Sequence, residues 1–346
     1  MPDSFLAVPQ SVERLLTGTP GGLPGLPERC ERVGVVLLDA FGRRFLERHA
    51  GHPFLRRLAV TELTTQFPST TTAHVTTMHT GRPVAEHGLY EWNVYEPAAG
   101  AVITPLRMGD ALVSPGESLY QRLPARSVVL QPAAFSPSAY DRLVATGAEL
   151  RPFRTLDEGL GAFFEALRAP GYAYLYWDRI DAMGHDHGPE SREFDAAARA
   201  ALDALERALR TIPGALLIVT ADHGQVAVDP ARVDYLDELW PGLAPLLAHR
   251  PAGSARDVFL HTRAEEEVIA GLREVLGNGA DVRPAAELFD DPGPRLQARL
   301  ADVCVLPGPG RMAWLRSAAG REQSFRGHHG GLHPDEVDTW AGVLEL

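Results

Sequence analysis

Three aliphatic runs in this chain end on an aspartate. VVLL meets Asp39, YAYLYW meets Asp178 with Asp181 close behind, and LLIVTA meets Asp222 followed by His223. If the runs are strands of one parallel sheet, all three ends reach the edge where α/β folds bind ligands. Taken singly, an aspartate after a strand is an ordinary helix N-cap or turn residue. Together, three carboxylates at one edge repel one another unless a cation sits between them. Histidines are placed to share such a cation. Asp181 and His185 are four residues apart, so one helical turn or a compact loop aims both at one ion. Asp222-His223 offers a second pair. Gly327-His328-His329-Gly330-Gly331 carries imidazole in a backbone loose enough to approach a ligand closely. His187 and His328 are read as solvated neighbours of these ligands. Aspartate and histidine without cysteine suit Zn2+, with Mn2+ and Fe2+ as alternatives.

A fourth segment runs from Phe67 to His74 (FPSTTTAH) and leads to Thr80-Gly81. Hydroxyls ahead of a short helical pattern are usually caps. At a helix N-terminus, free N–H groups and the dipole also favour an anion, and a metal would turn a threonine hydroxyl into a nucleophile.

The elements that must hold these residues are legible in the hydrophobic pattern. Residues 33–38, 127–130, 172–176 and 215–220 are short aliphatic and aromatic runs, as expected of strands buried on both faces. Residues 157–168 and 189–210 are helical patterns between them. In the second, Phe194, Ala198, Leu202, Leu205 and Leu209 recur at three- and four-residue spacing. A β-rich run at 60–65 precedes the threonines, a short helix is expected at 11–16, and the Gly/Pro-rich stretch 18–27 reads as a connection. The alternation predicts an α/β fold with a mostly parallel central sheet. The chain reads as one domain, 1–346. Its looser stretch 226–309 is an inserted cap or sheet extension, with strand candidates at 258–261 and 303–306.

Composition narrows the chemistry. Of 346 residues, 33 are basic and 45 acidic, for a net charge of −12, and every basic residue is arginine. Without lysine there is no Schiff base and no P-loop or kinase-type lysine on a phosphate. The acidic balance argues against polymeric nucleic acid and anionic membrane as partners. Cys30 and Cys304 form no CxxC pair, so a disulfide framework and a cysteine zinc site are not expected. The N-terminal MPDSF lacks a basic leader and no apolar run reaches the roughly 20 residues of a membrane helix. The expected compartment is the cytoplasm.

The motifs LLDAFG, FPSTTTAHVTTMHTGRPVAEHGL, DRIDAMGHDHGP, TADHGQ and RGHHGGLHPDE, spanning Asp39 to about Glu336, resemble the type I phosphodiesterase/nucleotide pyrophosphatase branch of the alkaline phosphatase superfamily. Each block is degenerate, but five in the family's order are specific. The resemblance implies a three-layer α/β/α sandwich and two divalent ions. One would be held by Asp39, Thr71, Asp222 and His223, the other by Asp181, His185 and His329. It implies Thr71 as nucleophile, counted from Pro68 and Thr80-Gly81, with Thr70 and Thr72 one step away. The implied activity is two-metal hydrolysis of a small phosphate ester, such as a nucleotide, through a phospho-threonine. Alternatives on the same scaffold are a phosphomonoesterase, a phosphonate hydrolase or a catalytically silent metal-binding relative. In nucleotide pyrophosphatases an asparagine stands three residues after the nucleophile. Here it is His74, read as a candidate donor to phosphate, so diester-over-monoester preference stays open. Tyr90 and Trp92, with Tyr95, are candidate walls of a substrate pocket. Oligomeric state is not legible.

Overall fold

The computed structural model describes residues 4–112 and 114–346; Met1–Asp3, part of the segment read as leaderless, lies outside them. The aliphatic runs form the middle of a seven-stranded sheet. Its strands are β1 (Arg32–Leu38), β2 (Ala59–Thr64), β3 (Ser127–Pro132), β4 (Glu149–Phe153), β5 (Gly171–Trp177), β6 (Ala215–Thr220) and β11 (Asp338–Glu345). They lie in the order β2-β11-β6-β1-β5-β3-β4. Only β11 runs against its neighbours, pairing antiparallel with both β2 and β6. The register aligns Leu38 with Trp177 and Leu37 with Thr220, so the three aspartate-bearing ends finish level.

Helices cover both faces. Val33, Val35 and Leu37 of β1 point into one core with α1 (Ala7–Thr17) and α2 (Thr71–Thr80). Val36 and Leu38 point into the other, with α3 (Leu156–Ala166) and α5 (Arg192–Ala208). This is the three-layer α/β/α sandwich, with β1 buried on both sides as its unbroken aliphatic run requires. On α5, Ser191 caps the N-terminus by accepting the Phe194 N–H at 3.1 Å, and Phe194, Ala198, Leu202 and Leu205 are buried. Burying a phenylalanine such as Phe194 contributes about 2–3 kcal/mol. Helix α1 is longer than the expected 11–16. Pro9 sits near its start, where a missing N–H costs little, and Gly18 at φ +83° closes it.

Residues 252–307 supply a separate four-stranded antiparallel sheet of β7 (Ala252–Ser254), β8 (Asp257–Leu260), β10 (Val303–Pro307) and β9 (Ala280–Pro284), in that order. Helix α6 (Glu265–Leu276) packs Val268 and Leu272 into its core. Among the described residues no helix is long and apolar enough to cross a membrane.

Candidate active site

Asp39 follows the last residue of β1 and is 1 % exposed. The next residue, Ala40, takes a left-handed φ of +60°. Its N–H is thereby donated to Asp222 Oδ1 at 3.1 Å, alongside the His223 N–H at 3.0 Å. Among the described residues, Asp222 Oδ2 is left buried with no hydrogen-bond partner. His223 Nδ1 lies 3.0 Å from the Gly224 carbonyl; a carbonyl only accepts, so Nδ1 carries the proton and Nε2 presents a lone pair. That Nε2 is 3.4 Å from Asp39 Oδ1 and 3.6 Å from Asp222 Oδ2. Asp39, Asp222 and His223 thus offer donor atoms within 4.8 Å of one another.

A second group is Asp181, His185 and His329, on the same criterion. Asp181 and His185 lie one turn apart on α4 (Arg179–His187), with His185 Nε2 3.2 Å from Asp181 Oδ2. His185 Nδ1 donates to the Gly327 carbonyl at 2.8 Å, and His329 Nδ1 to the Ser69 carbonyl at 3.0 Å. All three imidazoles are pinned in the tautomer that aims Nε2 inward, the outer arrangement that orients metal-binding histidines. The Gln225 amide donates to the Asp181 carboxylate and to its carbonyl, and a methyl group on Gly184 would overlap that amide. Glycine at 184 is what lets Gln225 reach α4.

The electrostatics describe a cluster that wants positive charge. Burial, with Asp222 and Asp181 nearby, pushes Asp39 well above the usual carboxylate range. Burial likewise raises Asp222 to about 7 and lowers His223 to about 3. At Asp181 burial acts upward, but His185 and the other imidazoles outweigh it and hold this carboxyl low. Oxygen and nitrogen donors, fixed tautomers and the orphaned Asp222 Oδ2 fit two divalent cations.

Of three consecutive threonines, one turns its hydroxyl to the first group. Thr70 is the N-cap of α2; its hydroxyl donates to the Tyr90 carbonyl at 2.9 Å and accepts from the Ala73 N–H. Thr72 is 1 % exposed, and its hydroxyl has no partner among the described residues. Thr71 Oγ1 lies 3.5 Å from both Asp39 carboxylate oxygens and 3.1 Å from His223 Nε2. Two cavities, of 310 and 330 Å3, share Thr71, Trp92, Arg107 and Asp181 on their walls.

Four readings change. His74 does not reach the cleft. It is fully buried against Phe5, donates through Nδ1 to the Thr70 carbonyl at 2.7 Å and accepts the Gln66 N–H through Nε2 at 2.9 Å. Both ring nitrogens are used, so none is left for phosphate. Tyr90 is also fully buried, packed on Phe259 and donating to the Arg299 carbonyl, so it backs the core rather than the cleft. His328 is only 3 % exposed, because Gly327–His328 pairs as a short strand with Val226–Ala227. Trp92 does line both cavities, His187 is exposed as expected, and Tyr95 stacks on His249 instead. The sequence reading passed over Tyr176 and Gln225. Tyr176 donates its hydroxyl to Asp39 Oδ2. Its signal was present in Tyr172, Tyr174 and Tyr176, hydroxyls at alternate positions of a buried strand.

The model of the type I phosphodiesterase/nucleotide pyrophosphatase family matches residues 33–332. The chain belongs to this family. Within the family's structural neighbourhood, murine ectonucleotide pyrophosphatase/phosphodiesterase 5, in an inactive form complexed with AMP, is 17% identical with a TM-score of 0.70, covering 90% of this chain and 87% of that one. The human protein of the same name is 16% identical with a TM-score of 0.69 over the same shares of the two chains. Phosphonoacetate hydrolase from Sinorhizobium meliloti 1021, in complex with phosphonoformate, is 19% identical with a TM-score of 0.65, covering 91% of this chain and 90% of that one. At such identities the likeness establishes the shared fold. No curated protein matches the chain in sequence.

Proposed function

We propose that this member of the family hydrolyses small phosphoesters, diesters or pyrophosphates, through a covalent phosphate on Thr71. The observation that carries the reading is the convergence of Thr71 Oγ1 on Asp39 and His223, while the Thr70 hydroxyl bonds the Tyr90 carbonyl and the Thr72 hydroxyl is buried away from both. Two divalent cations, Zn2+ being the best fit to the donors, would be held by Asp39, Thr71, Asp222 and His223 and by Asp181, His185 and His329. When bound they supply the Lewis acidity that lowers a hydroxyl pKa and offsets phosphoryl charge, in a chain with no lysine to do so.

The chain's own residues set the geometry. Helix α2 begins at Thr71, so its free N–H groups and dipole favour an anion beside the hydroxyl. The Thr71 hydroxyl gives its proton to solvent as its oxygen bonds to phosphorus; the bond from phosphorus to the leaving oxygen breaks, and that oxygen takes up a proton from solvent. Water then cleaves the phospho-threonine and restores the hydroxyl. Trp92, Phe135 and Leu106 on the cleft wall suit a planar or apolar leaving group. The AMP bound by the murine relative supports a nucleotide in that place. The sheet of residues 252–307 belongs, on this reading, to a cap inserted in a single catalytic domain, and its Ser254 reaches the cleft wall.

The deciding experiment is turnover of bis-p-nitrophenyl phosphate by zinc-loaded wild type and Thr71→Ala. A loss of at least about a thousandfold is expected, as for removal of a covalent nucleophile. An acid quench should leave one phosphoryl group on the peptide containing Thr71 in the wild type. Full activity of Thr71→Ala would sink the assignment.

A further inference from the structure

Arg107 sits in the turn after the short strand Ala101–Ile103, its N–H bonded to the Thr104 carbonyl at 3.0 Å. It lines both cavities beside Thr71 and is exposed to them. Its guanidinium carbon stands 5.1 Å from the centre of the Trp92 ring. Among the described residues no carboxylate comes within the 4.0 Å range of an ion pair with it, although its charge reaches Glu322. The other arginine on these walls, Arg321, is engaged by Asp186 at 2.6 Å. Some arginines elsewhere in the fold are held in salt bridges, as Arg256 is by Glu336 and Arg311 by Asp234, and Arg250 is held by the Val102 carbonyl.

An arginine kept in a substrate cleft without an acid partner, and held over an aromatic face, is prepared for an oxyanion. We propose that Arg107 is a specificity-determining residue that binds a second oxyanion of the substrate, a phosphate or a carboxylate, next to the phosphoryl group attacked by Thr71. The inference rests on the phosphoesterase reading above. It explains how an acidic chain without lysine distinguishes a substrate with a second anion from a neutral ester. Five planar donors suit a phosphate or carboxylate in bidentate contact, whereas a neutral leaving group offers them nothing. Trp92 restrains the side chain, so less rotamer freedom is lost when the anion arrives.

The test compares Arg107→Met and Arg107→Lys with wild type on three substrates. These are bis-p-nitrophenyl phosphate, a dinucleoside pyrophosphate and phosphonoacetate. For Arg107→Met, kcat/KM on a substrate with a second anion should fall roughly ten- to hundredfold, mostly through KM, as for loss of a charge-assisted hydrogen bond. The diester should change by less than about threefold. Arg107→Lys should recover part of the loss. Dependence confined to the pyrophosphate identifies phosphate as the anion, and dependence confined to phosphonoacetate identifies carboxylate. Equal losses on all three substrates, or none on any, overturn the proposal. A second readout needs no turnover: inorganic pyrophosphate should change the indole fluorescence of wild type, but not of Arg107→Met or Trp92→Phe. If wild type cleaves nothing yet shows that response, the hydrolase reading fails while Arg107 stands as the anion-binding residue. An identical response in Arg107→Met rejects the role of Arg107 whatever the enzyme hydrolyses.

Discussion

The rings of His223 and His329 lie face to face, 3.8 Å between centroids and 18° from parallel. One belongs to each donor group, and the stack sets how close the two groups come. His223 is fixed by its own neighbour's carbonyl, at Gly224, and His329 by the carbonyl of Ser69, two residues before Thr71. The loop that carries the hydroxyl therefore also orients a donor of the second group. The Thr71 hydroxyl and both donor groups are parts of one hydrogen-bonded frame.

Chelation should lower thermal stability as well as activity. With a cation absent, Asp39, Asp181 and Asp222 crowd a buried volume. Zinc at a hundred times its dissociation constant should stabilise the fold by about 2.7 kcal/mol for each site. Scanning calorimetry with EDTA and with added zinc checks this, and Asp222→Asn should shrink the zinc response. A Tm indifferent to both treatments would remove the case for metal.

Tyr176→Phe should weaken metal binding without disturbing the fold. The hydroxyl donates to Asp39 Oδ2 and so orients a carboxylate of the first donor group. Loss of such a supporting bond costs about ten- to a hundredfold in metal affinity. Competition of the variant with a zinc-binding dye measures it. Unchanged affinity would mean that the strand alone aims Asp39.

His74→Asn should damage stability rather than substrate choice. The imidazole joins the Thr70 carbonyl to the Gln66 N–H and packs on Phe5, and asparagine cannot span both partners. A loss of about 1–3 kcal/mol is expected. The ratio of diester to monoester turnover should stay within about twofold of wild type. A large swing in that ratio would return His74 to the phosphate.

Acid should destabilise the fold through buried imidazoles remote from the donor groups. Burial lowers His79 to about 3, and burial aided by His74 lowers His87 to about 3. These rings stay neutral in the folded chain while the unfolded chain binds protons below about pH 6.5. Their contribution is complete above that value and is lost as pH falls from 6.5 toward 3. The slope approaches about 1.4 kcal/mol per pH unit for each ring. Urea titrations between pH 7 and 5 should show falling stability, with a shallower slope for His79→Gln. A slope unchanged by that substitution would assign the effect elsewhere.

Much of the site could be read before the fold was known, for a physical reason. Strands buried on both faces are written as unbroken aliphatic runs, so the aspartates at their ends announce themselves. The i,i+4 spacing of Asp181 and His185 is equally local. What escaped depends on contacts distant in sequence. His74 looked available because nothing nearby in the chain shows that Phe5 covers its ring. The glycines around His328 suggested an open loop, whereas Val226 and Ala227 claim it as a strand partner. Arg107 lies in a turn with no periodicity, and its meaning emerges only from Trp92 and from the lack, among the described residues, of a carboxylate within ion-pair distance.

The insertion of β11 between β2 and β6 bears on biosynthesis. β2 leads into Thr71 and β6 into Asp222, and the two are joined only by a strand at residues 338–345. A ribosome-bound chain that lacks this strand would present two open sheet edges, one on the side of Thr71 and one on the side of Asp222. Such a nascent chain should be inactive, prone to edge-to-edge pairing and a natural client of chaperones until residue 345 emerges. Completion of the sheet between Thr71 and Asp222 therefore waits on residues 338–345.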